Sequence, residues 1–77
     1  MSPIPTRTTF PPPWTVGESG ESFYVRDARG QVLGYFYFED GEGRRSAMKR
    51  LNRADAWKMA VNFAKLPELL KLRDAAR

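Results

Sequence analysis

The sequence contains no cysteine and no histidine. Without cysteine the chain has neither the disulfides that small secreted domains commonly use nor thiol chemistry. The absence of both residue types excludes a structural zinc site of the usual kind, and the absence of histidine excludes imidazole acid–base catalysis. No stretch approaches the ~18 apolar residues that a membrane-spanning helix needs, and the first residues lack the apolar segment of a signal peptide. These absences predict a cytoplasmic protein that binds no metal and contacts no membrane.

The sequence patterns of common enzyme sites are also missing. A nucleophilic triad needs histidine or a close substitute as its base, and no glycine-rich loop with P-loop or dinucleotide spacing precedes a helix. Glu39, Asp40 and Glu42 lie in a glycine-flanked segment without the spaced ligands of an EF-hand, and we expect solvent to surround them. We therefore predict no enzymatic activity, no cofactor and no small-molecule substrate.

The length of 77 residues predicts a single domain with a thin core. Hydrophobic residues make up 42% of the chain and aromatic residues 13%. Burying a large apolar side chain stabilises the fold by roughly 1.5–3 kcal/mol, while ordering each residue costs roughly 1.5 kcal/mol. For so short a chain these terms nearly cancel, so we expect modest stability and a contribution from self-association.

Proline dominates the beginning of the chain. Residues 1–13 end in three consecutive prolines, and proline fixes φ and lacks a backbone N–H. This composition predicts an extended arm over 1–13, anchored by Trp14, and a single small domain over 14–77. A proline-rich ligand for an aromatic groove is the alternative, but the run is too short to favour it.

Three short stretches have the composition or alternation of β-strands: residues 14–16, 23–26 and 32–39. The composition of residues 17–21 predicts a turn between the first two. Asp27 and Gly30 predict a hairpin between the second and third strands, because the aspartate side chain begins a type I turn and glycine accepts the positive φ that follows. The three stretches thus predict an antiparallel meander.

The third strand is apolar or aromatic on both faces. Alternation places these residues on its two faces: Leu33, Tyr35 and Tyr37 on one, and Gly34, Phe36 and Phe38 on the other. One helix covers only one face of a sheet. We therefore expect the proline-rich arm, the C-terminal segment, a second copy of the protein or a ligand to cover the other.

A main helix follows a short helical turn over residues 44–50. Asn52 predicts its N-cap, with Asp55 returning the hydrogen bond as in a capping box. Its packing stripe recurs at helical spacing: Ala56, Met59, Ala60, Phe63, Ala64 and Leu66. Pro67 ends the helix, kinks it, or restarts it with proline in the first turn. The fold class predicted is α+β, a three-stranded antiparallel meander followed by one main C-terminal helix (β-β-β-α) with short extra helical pieces.

Several residue runs together form a recognisable pattern: Pro11-Pro12-Pro13-Trp14; Phe23, Val25 and Asp27 leading to Gly30; Leu33, Tyr35 and Tyr37; and Ala60, Asn62, Ala64-Lys65-Leu66-Pro67 with Leu69-Leu70. Over roughly residues 10–70 the chain resembles a family of small uncharacterised proteins common in alphaproteobacteria. The resemblance implies the same organisation and supplies no activity, substrate or partner. Such sequences carry polar residues at the positions of Trp57 and Val61, which implies that this pair is exposed.

A net charge of +4 and a pI near 9.9 suit a polyanionic partner. The candidate contacts to nucleic acid or another anion lie between the sheet and the main helix: Arg44, Arg45, Lys49, Arg50 and Arg53. Arginine and lysine neutralise phosphates, and Tyr35 or Tyr37 would stack on bases if exposed. The alternative is an ordinary solvated linker and helix start.

The sequence favours a protein-interaction role over nucleic-acid binding. Trp57 and Val61 lie four residues apart, beside the packing stripe of the helix. They either pack on its flank or form an exposed contact with a partner. Together with Tyr35 and Tyr37 they are the candidate protein-interface residues, and a homodimer is the simplest way to bury them.

Overall fold

Residues 10–75, which the computed structural model describes, form three β-strands followed by three α-helices. The elements are β1 (Thr15–Ser19), β2 (Ser22–Arg26), β3 (Val32–Tyr37), α1 (Glu42–Met48), α2 (Arg53–Ala64) and α3 (Leu66–Ala75). The strands are antiparallel in the order β1-β2-β3. The predicted α+β fold and the meander are confirmed. Residues 1–9 of the predicted arm and 76–77 of the predicted domain lie outside the described residues.

The buried carboxylate of Asp27 organises the turn between β2 and β3. Its Oδ1 accepts hydrogen bonds from the backbone N–H groups of Arg29 and Gln31, each at 2.9 Å. Gly30 has a φ of +90° and donates its N–H to the Asp27 carbonyl at 3.0 Å. Buried polar groups are stable only when hydrogen bonded, and here the backbone supplies the donors. The hairpin predicted from Asp27 and Gly30 is confirmed.

The turn between β1 and β2 is shorter than the sequence predicts. Residues 17–19 belong to β1, and only Gly20 and Glu21 connect the strands. Gly20 has a φ of +58°, and a type II′ hairpin turn needs a positive φ at this position. Trp14, expected to begin the strand, precedes it. Its indole N–H donates to the Phe10 carbonyl at 2.9 Å, and its ring stacks on Phe63.

The end of β3 also differs from the expectation of a strand over 32–39. Regular pairing with β2 stops at Tyr37, and Phe38 forms an isolated parallel bridge with Leu51. Glu39, expected in solvent, is only 8% exposed because the chain returning from α1 runs beside it, and its N–H donates to the Leu51 carbonyl at 2.9 Å. Its Oε2 accepts from the Gly41 N–H at 3.1 Å, while Arg44 lies 3.5 Å from an Oε1 that accepts no hydrogen bond from the described residues.

The core lies between α2 and one face of the sheet. Its buried members come from both layers: Phe23, Val25 and Phe38 on the sheet side, and Ala56 and Ala60 on the helix. Small alanines let the helix approach closely, and Gly34 faces the ring of Phe63 across the same interface. Met59, expected in the packing stripe, is instead exposed, because it lies about 100° round α2 from the buried Ala60, at the edge of the stripe.

The helix boundaries follow local signals. The Asn52 side chain accepts a hydrogen bond from the Asp55 N–H at 2.8 Å, which confirms the predicted N-cap of α2. The short helical turn expected over 44–50 is α1, and it ends at Lys49, whose φ of 56° is left-handed. Pro67 lies in the first turn of α3, so the helix restarts there. No helix among residues 10–75 is long and apolar enough to cross a membrane.

Replacing the carboxylate of Asp27 tests its role in the hairpin. We expect Asp27→Ala to lower the free energy of unfolding by about 1–3 kcal/mol, because two backbone N–H groups lose their acceptor. Asp27→Asn keeps an acceptor oxygen and should lose less. Urea unfolding followed by circular dichroism measures both variants. Equal stability of Asp27→Ala and the wild type would contradict this role.

Candidate functional site

Three tyrosines form a row on the sheet face that lies opposite α2. Tyr24 of β2 pairs with Tyr35 of β3 in the antiparallel register, and their ring centroids lie 6.2 Å apart. Tyr37 continues the row, with its ring 6.0 Å from that of Tyr35 and nearly parallel to it. Tyr35 is 51% exposed and Tyr37 52%. We call Tyr24, Tyr35 and Tyr37, with the side chains that border them, the tyrosine face.

Glycine at position 17 lets the first ring lie close to the sheet. Gly17 pairs with Tyr24, and a Cβ on Gly17 would lie 2.4 Å from Cζ of the Tyr24 ring. Any side chain there would displace the ring. The ring of Tyr24 therefore lies over the backbone of β1 and extends the aromatic surface across all three strands.

An arginine lies at each end of the tyrosine row. The Arg26 guanidinium carbon is 5.7 Å from the centroid of Tyr24, and that of Arg50 is 5.4 Å from the centroid of Tyr37. Arg50 also forms an ion pair with Glu21 at 2.9 Å, whereas Arg26 forms none with the residues that the structure describes. Arg26, Arg50 and Glu21 together have a net charge of +1 beside the tyrosine row.

The five predicted cationic contacts do not form one patch. Three of them pair with carboxylates: Arg44 with Glu39 at 3.5 Å, Arg50 with Glu21 at 2.9 Å, and Arg53 with Glu18 at 2.6 Å. Arg45 is partly buried and Lys49 is exposed, and neither forms an ion pair within residues 10–75. Only Arg50 contacts an aromatic ring of the tyrosine face.

Arg53 stabilises the fold on the helix side of the sheet. Its guanidinium carbon lies 5.2 Å from the ring centroids of both Phe23 and Phe38. A hydrogen bond between Arg53 and Glu18 lowers the pKa of the Glu18 carboxyl and raises the pKa of the Arg53 guanidinium. With two rings and a carboxylate as partners, Arg53 is a structural cation in this chain.

Trp57 and Val61 lie on the α2 side of the sheet, away from Tyr35 and Tyr37. The Trp57 ring makes an edge contact with Phe23 at 5.3 Å, yet Trp57 stays 48% exposed. Val61, one turn further along α2, is partly exposed. The pair thus packs on the flank of the helix and also faces solvent, and the four predicted interface residues separate into two surfaces.

Sequence reasoning missed Tyr24 and Arg26 as members of the site. Alternation along β2 already places both on the face opposite Phe23 and Val25. What it lacks is the register, which pairs Tyr24 with Tyr35. If the pairing of β2 shifted by one residue, the side chains of Tyr24 and Arg26 would lie on the other face of the sheet.

The tyrosine face supplies flat aromatic surfaces and guanidinium groups. In the described part of the chain, no cluster of three or more acidic side chains is placed to hold a metal ion. Aromatic rings stack on planar groups, and guanidinium groups bind anions and carboxylates. Comparison of the chain with protein-family models, with curated proteins and with solved structures gave no match.

The pKa of Glu18 predicts how stability depends on pH. Because its pKa in the folded state lies below the ordinary value of 4.5, the ion pair with Arg53 stabilises the fold above that pH. The contribution is lost as the pH falls below 4.5 and through the folded-state pKa. We expect Glu18→Gln to lose less stability than the wild type between neutral pH and pH 3, as measured by urea unfolding at low salt.

Glu68→Gln is the matched control, since it removes an exposed carboxylate that has no ion pair among the described residues. Its acid dependence should follow that of the wild type. Identical acid curves for Glu18→Gln and the wild type would show that the ion pair does not contribute.

Proposed function

We propose that this protein is a non-catalytic binding module that binds single-stranded nucleic acid on its tyrosine face. The observation that carries the proposal is the row of three tyrosine rings with an arginine at each end. The sequence alone favours protein interaction. On this face, the combination of aromatic rings and net positive charge favours nucleic acid instead.

The exposed rings of Tyr35 and Tyr37 fit the stacking of unpaired bases. Every base presents a flat π-surface, and one aromatic side chain contributes about 1–3 kcal/mol per stacked base. About half of each of these two residues remains open to solvent. Tyr24 extends the same surface toward β1. Recognition of this kind tolerates many sequences, since it depends on the ring surfaces of the bases and not on their hydrogen-bonding edges.

Arg26 and Arg50 fit the phosphates on either side of the stacked bases. Their guanidinium groups border the two ends of the tyrosine row, and the chain as a whole has a charge of +4. For the two phosphates that Arg26 and Arg50 can neutralise, the slope of log K against log salt is about −1.4 on single strands.

A duplex and a second copy of the protein fit this face less well. In a duplex the base surfaces are covered by their neighbours, so the rings would meet only the groove edges and the backbone. Two copies meeting face to face would bring together two Arg26 charges, which have no ion pair among residues 10–75, in an interface that already holds two Arg50–Glu21 pairs. Such a contact buries like charges, which opposes association.

Fluorescence anisotropy with labelled oligonucleotides of ~10 nucleotides, a length within the range of single-strand sites, tests the proposal. We expect oligo-dT and oligo-U to bind at low salt and the matched duplex to bind more weakly. Tyr35→Ala and Tyr37→Ala should each weaken binding about 5- to 150-fold, which corresponds to 1–3 kcal/mol of lost stacking. Tyr37→Phe keeps the ring and should retain most of the affinity.

Charge-matched variants separate a local contact from a general effect of net charge. Arg26→Ala should weaken binding and make its salt dependence shallower. Lys58→Ala removes the same charge from the exposed side of α2, away from the tyrosine face, and should change little. Unchanged binding by Tyr35→Ala and Tyr37→Ala, or no binding even at low salt, would refute the proposal.

A further inference from the structure

Trp57 is an exposed aromatic side chain that is already held in place. Its edge contact with Phe23 at 5.3 Å fixes one side of the ring, while 48% of the residue stays open to solvent. A fixed ring loses little conformational freedom when a partner covers it. Tryptophan is also among the residues that contribute most to protein–protein interfaces. Burial of this ring therefore favours association.

A depression of about 510 Å³ lies directly beside the ring. It is lined by Glu18, Phe23, Arg53, Ala54 and Trp57. Ligand pockets of about 300–1,000 Å³ hold whole drug-sized molecules, so this depression has room for one indole side chain. A projecting ring and a depression next to it make the patch complementary to itself, which a two-fold interface requires.

The charges of the patch are balanced. Glu18 and Arg53 form its walls and carry one charge of each sign. When two copies are related by a two-fold axis, Glu18 of one copy can approach Arg53 of the other, and the reverse. Lys58, about 100° further round α2 than Trp57, and Lys65, one turn beyond Val61, are both exposed and lie at the outer rim of the patch, where solvent screens their charges. The tyrosine face has a net positive charge instead and lacks this balance.

We infer that the Trp57 patch, made of Glu18, Phe23, Arg53, Ala54, Trp57 and Val61, binds a second copy of this chain about a two-fold axis. Each Trp57 ring enters the depression of the other copy, and Val61 extends the apolar contact by one helical turn. The interface lies on the side of the sheet opposite the tyrosine face. The inference is independent of the proposed function.

Sedimentation of the 77-residue chain across a range of concentrations tests the inference. We expect the weight-average mass to rise from the 8.8 kDa of one chain toward twice that value at high micromolar concentration. Trp57→Ala should weaken dimerisation about tenfold or more. Met59→Ala removes an exposed apolar side chain from the opposite flank of α2 and should leave the dimer unchanged.

Val61→Glu is the second variant, because Trp57 also contacts the core residue Phe23. Val61 is not among the buried core residues, so circular dichroism should show an intact fold while the new charge abolishes the dimer. A strictly monomeric wild type, or a dimer that persists in both Val61→Glu and Trp57→Ala, overturns the inference. So does a dimer that Tyr35→Ala disrupts, since the interface would then lie on the tyrosine face. Anisotropy of Tyr35→Ala and Tyr37→Ala tests the proposed function, and sedimentation of Trp57→Ala and Val61→Glu tests the dimer, so either can fail without the other.

Discussion

The close packing of α2 on one face of the sheet determines where the other residues lie. Val25, Ala56 and Ala60 are completely buried at this contact. The helix side contributes no large side chain at the centre, so the two layers meet at short distance and the core stays thin. A thin core cannot hold all the aromatic residues of the chain. Alternation along β3 turns the rings of Tyr35 and Tyr37 to the second face of the sheet, where about half of each residue stays exposed.

Charged side chains close the margins of this thin core. The Arg53 guanidinium covers both Phe23 and Phe38 at 5.2 Å and ends on Glu18. Exposed ion pairs alone contribute about 0–1 kcal/mol, but a guanidinium that also lies over aromatic rings removes apolar surface from water. Arg50 repeats the arrangement on the other face with Tyr37 and Glu21. Arg50 and Arg53 belong to one basic segment in the sequence, yet they contact opposite faces of the sheet. Together they attach the segment that follows α1 to both faces.

Features that depend on near neighbours in the chain could be predicted from the sequence. The Asp27 turn and the Asn52 cap each involve residues within about one helical turn or one hairpin loop. Pro67 predicts an interruption of the helix, but the sequence alone does not choose between an end, a kink and the restart that the structure has. The three strands, their order and the apolar faces of β3 follow from alternation and from short connections.

Features that depend on distant partners could not be predicted in this way. From sequence alone Gly17 is a typical turn residue. Its role in making room for the ring of Tyr24 becomes visible only when β1 is paired with β2. Glu39 reads as a solvated acid until the segment at Leu51 is placed beside it. For the candidate site, alternation along each strand shows which face of the sheet a side chain lies on. Only the pairing register shows which residue of the next strand lies beside it. The row of three tyrosines needs both, because Tyr24 and Tyr35 are eleven positions apart.

The two surfaces differ in a way that limits what each can bind. A patch with one charge of each sign can meet its own copy without electrostatic cost, whereas a face with a net positive charge meets its own copy at a cost and a polyanion with a gain. Under the proposed function, a single tyrosine face offers few phosphate contacts, so one copy alone would bind a strand weakly. If two copies pair through the Trp57 patch, their tyrosine faces are held in one assembly. Binding of a strand to the first face then raises the effective concentration at the second to the millimolar range when the strand can span both. When the strand spans both faces, the pair would bind it more tightly than one copy does, and neither tyrosine face would need further contacts.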